Sequence, residues 1–202
     1  KMTMLDRVLL FITGLLAAYQ IVVGIDDLST APIIAYTIAF GVLLVAGILL
    51  IILGFEVLDS PIVVIVSTII PLALSLGLVW EHFASFRTSY LVFAIIGFAA
   101  VTLTRSIPMQ NRVRVPTITI AIVHGIAGMT IFLLPIILSI QGVMKPAFAL
   151  VGIGGALIGI GGLLLSFLKA GKPILSRDTI FKILPGLLLL MTACFVAGFK
   201  FG

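Results

Sequence analysis

Between Leu5 and Phe199 the sequence holds seven long apolar stretches separated by short polar joints. A stretch that crosses a bilayer must satisfy its backbone hydrogen bonds within itself, as a helix, or around a closed barrel. Barrel strands alternate apolar and polar residues over about ten residues. Residues 38–53, IAFGVLLVAGILLIIL, show no alternation, so helices of roughly 20 residues are required. Charged residues make up 9% of the chain, against about 25% in soluble domains, too few to cover a water-facing surface.

The predicted fold is therefore all-α: a polytopic membrane protein with seven transmembrane helices in a single domain, residues 1–202. The predicted spans are Leu5–Gly24, Pro32–Gly54, Pro61–Trp80, Thr88–Thr104, Pro116–Ile140, Pro146–Leu168 and Asp178–Phe199. Four of them open on proline, which suits a first helical turn because the N–H it lacks has no partner there.

The net charge of +5 does not signal nucleic acid, because the basic residues sit in the joints, where they face lipid head groups. With the N-terminus inside, the inner side carries Lys1, Arg7, Arg105, Arg112, Arg114, Lys169, Lys172, Arg177 and Lys182, and the outer side only Arg87, Lys145 and Lys200. That imbalance predicts a cytoplasmic N-terminus and an outer C-terminus. The basic segment QNRVRVP, Gln110–Pro116, is expected to anchor to anionic lipid. The single cysteine, Cys194, excludes an internal disulfide and a multi-cysteine metal site.

A gapless shift of 114 residues places Pro32 on Pro146, Pro71 on Pro185, Gly14 on Gly128, Gly41 on Gly155 and Gly47 on Gly161. Such matches suggest a 3+1+3 plan with halves 5–82 and 116–199 and a linker helix 88–104. An odd number of intervening spans makes the halves parallel. The plan is similar to that of SWEET-type sugar carriers, without their Pro-Gln signature.

Ionisable groups in mid-membrane mark function by default, and no Asp, Glu or Arg falls there. That speaks against a proton-coupled carrier with a buried carboxylate. The hydroxyls of Ser67, Thr68, Ser75 and Thr130 can bond their own helix one turn back. Pro71 and Pro185 each remove a backbone hydrogen bond at matched positions, and paired helix breaks can flank a transported solute, so Ser67, Thr68, Pro71 and Pro185 are the substrate-path candidates; the alternative for the two prolines is simple curvature of their helices. His124 is the cofactor-binding candidate, as axial ligand to a haem or chlorophyll-type pigment; its alternative is an interhelical hydrogen bond. Ala121, Gly125 and Gly128 share a face next to it and predict close approach of another helix. His82, with Trp80, belongs to the interfacial belt, and Glu81 is placed to pair with Arg87. Asp178-x-x-x-Lys182 resembles the pair in the last helix of microbial rhodopsins, but Lys182 lies about one turn from the polar end, too shallow for a retinal Schiff base.

The segment VGIGGALIGIGG, Val151–Gly162, lacks the spacing of a dinucleotide-binding loop: Leu157 and Leu164 stand where the third glycine is needed. On a helix, Gly152, Gly155, Gly159 and Gly162 gather on one side and Gly154 and Gly161 on the other. A helix smooth on two faces is suited to packing between two neighbours. No nucleophile with its base and no metal triad is present, so the chain is expected not to be an enzyme. The expected role is a helix-packing subunit of a larger membrane complex, partnered by lipid and by other subunits or its own copies, with any cofactor unidentified. The alternative is a small-solute transporter or channel with its site between two three-helix repeats.

Overall fold

The computed structural model describes residues 2–25, 28–107, 115–169 and 174–202. The turn residues Asp26 and Asp27 and most of the basic segment, Gln110–Arg114, lie outside them. Among the described residues, seven long helices account for the fold: α1 (Met4–Val23), α2 (Thr30–Leu53), α3 (Pro61–His82), α4 (Arg87–Ser106), α5 (Val115–Ile140), α6 (Ala149–Lys169) and α7 (Arg177–Phe201). Each is long and apolar enough to cross a membrane. Short 3-10 turns at Phe55–Asp59, Ala84–Phe86 and Pro146–Phe148 lead into α3, α4 and α6. Pro146 thus opens a turn rather than the helix itself.

Local chemistry sets the ends. Thr3 caps α1 with a reciprocal box: its N–H donates to Asp6 Oδ2 at 2.7 Å, and Asp6 N–H donates to Thr3 Oγ1 at 3.2 Å. This explains a buried carboxylate at the start of an apolar helix. Ser176 caps α7 by accepting from Thr179 N–H. Gly24 and Gly54 end α1 and α2 with φ of 69° and 77°, a backbone region that side-chain-bearing residues avoid.

The helices alternate in direction. Phe55, after α2, stacks on Phe181 in the second turn of α7 at 5.1 Å, whereas Tyr36 near the start of α2 meets Phe199 near the end of α7 at 4.7 Å. The bundle therefore has a near end, carrying the N-terminus, and a far end, where α1, α3, α5 and α7 finish. α1 packs on α2 and α7, α2 on α3, α3 on α5, α5 on α6, and α6 on α7. This order closes a ring of six helices. α4 is left outside, against α3 and α5. Its apolar window is only 17% buried, against 50% for α3, so α3 is central and α4 peripheral.

The ring is filled. Phe40 of α2 and Phe195 of α7 meet edge-on at 6.5 Å, surrounded by Ile70, Leu74, Leu78, Ile131 and Val151. Large apolar side chains such as Val22, Ile52, Ile95, Ile96 and Leu163 are exposed on the outside. In water such a surface would drive aggregation, whereas hydrocarbon solvates it at no cost.

Candidate functional site

Pro71 and Pro185 are both buried, and neither breaks its helix: α3 and α7 run on through them. Membrane helices accommodate proline by local adjustment, so the helix continues on both sides of it. α3 and α7 are also not ring neighbours, so the two prolines are not brought together. Thr68 is fully buried and donates to the Val64 carbonyl at 2.8 Å, while Ser67 donates to the same carbonyl at 3.1 Å. Ser75 donates to the Pro71 carbonyl at 2.6 Å, and Thr192 to Leu188 at 2.7 Å. These hydroxyls are satisfied by their own helices. The gap bounded by Ala39, Phe40, Leu43, Ile70, Leu74 and Phe195 has no room for a water molecule. That gap therefore offers no polar path in this conformation.

Glycine explains how the helices approach closely enough to fill the ring. A Cβ on Gly77 of α3 would lie 2.5 Å from the Tyr36 ring of α2. A Cβ on Gly154 of α6 would lie 2.7 Å from the Phe195 ring of α7. Each aromatic ring thus seats in a notch on the facing helix. On the other side of α6, Gly152 abuts the Phe132 carbonyl and Gly155 abuts the backbone of Ile131 and Phe132, both in α5. Gly161 meets only the side chain of Leu187 in α7.

The rest of the small-residue face is open. Among the described residues, nothing lies within 4 Å of where a Cβ would stand on Gly125, Gly128, Gly159 or Gly162, and Ala121 is exposed. The close approach expected along Ala121, Gly125 and Gly128 is not made among the described residues. The reason lies in the α5–α6 crossing. The pair touch through Gly152 and Gly155 in the far half and lack such contacts toward the near end, where Gly125 and Gly162 fall.

His124 lies in the near half of α5 and is part-exposed. Its Nδ1 is enclosed and has no hydrogen-bond partner. Nε of Arg105, in the last turn of α4, is likewise enclosed and unpartnered. Leaving a buried polar atom without a partner costs about 1–3 kcal/mol. Neither His124 nor Arg105 belongs to a group of three or more metal-ligating side chains among the described residues. Sequence reasoning singled out His124 but not Arg105.

At the far end the polar groups form a rim. Ser29 donates to Glu81 at 3.3 Å. The Arg87 guanidinium lies over the Trp80 ring, 5.9 Å from its centre, and its Nε donates to the Trp80 carbonyl. Arg87 is thus held by Trp80, and Glu81 by Ser29, in place of the direct pair the sequence suggested. His82 is edge-on to Phe148 at 5.5 Å. Lys182 and Asp178 are exposed at the near end, as a shallow position requires. No protein-family model, curated protein or solved structure matches this chain.

Proposed function

We propose that this chain is an integral membrane protein that performs no reaction of its own and packs against other helices as a subunit of a larger membrane assembly. One observation carries this reading. The interior is closed by interlocked aromatic rings and glycines, while the unfilled glycine faces of α5 and α6 lie on the outside of the bundle. Small residues left uncovered in a membrane helix are surfaces for another helix to approach. The partner is another membrane subunit or a second copy. The charge bias of the joints supports a cytoplasmic near end, where the N-terminus lies. A pigment or haem would use His124 as its ligand.

The test is purification in a mild detergent, with particle mass from light scattering and a visible absorption spectrum. A mass of several chains, or of this chain with a stoichiometric partner, is expected. A colourless monomer that moves solute across reconstituted vesicles overturns the reading.

A second reading, a small-solute carrier, is favoured by the ring order. Helices α1, α2 and α3 pack in sequence, as do α5, α6 and α7, and the triplets join through α3 on α5 and α7 on α1. This is the order that two parallel three-helix repeats about an axis along the membrane normal would produce, with α4 as linker. The carrier would require the aromatic plug to separate in another state. Solute flux that is lost on cross-linking α2 to α7 would establish it.

A further inference from the structure

We propose that a cleft between α1 and α2 at the far end of the bundle binds the hydroxyl group of a neutral lipid alcohol, with the Gln20 carboxamide as its acceptor. Gln20, Gly24 and Ile25 form one wall, and Ile33, Tyr36, Thr37 and Phe40 form the other. Unlike the gap beside the Phe40–Phe195 contact, this cleft has room for about one water-sized group. Gln20 lies three residues before the end of α1, and Thr37 seven residues after the start of α2. At 1.5 Å per residue, the cleft sits about 5–10 Å below the far ends of these helices.

The end of α1 fixes the carboxamide at the cleft. Gln20 Nε2 donates to the Gly24 carbonyl at 2.8 Å, and both residues line the cleft, so the amide head is part of its wall. Gln20 is only 5% exposed. A carboxamide carries two donor hydrogens and an oxygen with two lone pairs, and the bond to Gly24 uses one hydrogen alone. Among the described residues Oε1 accepts no hydrogen bond, and unlike Arg105 Nε and His124 Nδ1 it is not sealed off. The open space beside it is the cleft. Thr37 is a second polar group left over. Thr13, Thr68, Thr130 and Thr192 each donate to a carbonyl one turn back, whereas Thr37 makes no hydrogen bond among the described residues.

An acceptor and a hydroxyl facing one small space suit a group that both donates and accepts. A ligand hydroxyl would give its hydrogen to Gln20 Oε1 and take one at its oxygen from Thr37. No charged side chain lines the cleft among the described residues, so an ion would lack its counter-charge there. The surroundings select the source. Ile33 and Thr37 are exposed on the outer face of α2, next to exposed Ile34 and Ile38. A molecule with one hydroxyl and a hydrocarbon body can seat the first in the cleft and lay the second along this face.

The site rests on the reading of the helices as membrane spans. The experiment takes the full chain, stripped of lipid in an amine-oxide detergent, which carries no hydroxyl. It is titrated with dioleoylglycerol or with its methyl ether, which cannot donate, and bound lipid is counted by native mass spectrometry. The alcohol should bind roughly fivefold more tightly than the ether, the effect of one neutral hydrogen bond. Gln20→Leu should abolish the preference. Thr37→Val should weaken both lipids, because both offer an oxygen to accept from Thr37. Thr102→Val, in α4, should change nothing. If Gln20→Leu does not fold, Thr37→Phe, at an exposed position, fills the cleft and should abolish the preference. Equal binding of the two lipids by the wild-type chain would leave the cleft to water and overturns the proposal, as does a preference that survives Gln20→Leu or, in its place, Thr37→Phe. Vesicle flotation separates the two failures: a chain that does not float fails as a membrane protein, while one that floats without lipid preference fails only at this site.

Discussion

Alanine at Gly155 and alanine at Gly159 should have opposite effects, although the two glycines are one turn apart on the same side of α6. A Cβ at residue 155 would lie 2.7 Å from Ile131 Cγ2 and 2.9 Å from the backbone carbon of Ile131 and nitrogen of Phe132. Backbone cannot rotate aside, so α5 and α6 must move apart. Overpacking of this kind costs about 1–3 kcal/mol. At residue 159 nothing lies within 4 Å. Both substitutions gain the same helix propensity, about 1 kcal/mol for alanine over glycine. The propensity term cancels in the difference between the two variants, leaving Gly155→Ala less stable than Gly159→Ala by about 1–3 kcal/mol. For a chain of this size that corresponds to roughly 2–4 °C of melting temperature per kcal/mol. Thermal and SDS-induced unfolding followed by circular dichroism would measure it, with wild type as reference. Gly159→Ala should melt at or above wild type and Gly155→Ala below it. Equal melting of the two variants would refute the assigned packing of α5 on α6.

Gly77→Ala should destabilise through the Tyr36 ring, and adding Tyr36→Leu should recover part of the loss; additive losses in the same melts would show that the notch does not couple the two residues. Thr68→Val should change stability by no more than about 1 kcal/mol, because its hydroxyl bonds only the Val64 carbonyl. A loss of solute flux in that variant, measured in vesicles, would favour the carrier over the subunit. Gly125→Leu and Gly162→Leu fill open space, so the isolated chain should melt as wild type while the particle mass in mild detergent falls toward a monomer. An unchanged mass would place the partner on another face.

Legibility in the sequence followed chemistry that acts locally. The mid-helix hydroxyls were readable because Thr68, Ser75 and Thr192 need only a carbonyl one turn back. The capping box of Thr3 and Asp6 has an equally local signature and went unread. The Glu81–Arg87 pair was misjudged for the opposite reason. Their competitors are Ser29, which precedes α2, and the Trp80 ring and carbonyl, and their positions follow from how the chain packs and turns at the far end.

The sequence by itself determined that there are seven helices and where they lie, because a bilayer's thickness and the need to bond every backbone group admit few other solutions. It also determined that α6 is smooth on two sides. Only the tertiary structure decided that Gly155 is pressed and Gly159 is open, and that α4 stands outside the ring. In water, a buried face is marked by contrast with a polar one. In a membrane, the lipid-facing and protein-facing sides of a helix are both apolar, so the pattern along the chain does not say which side is which. Helix crossing and register make that choice, and they arise from packing among all seven helices.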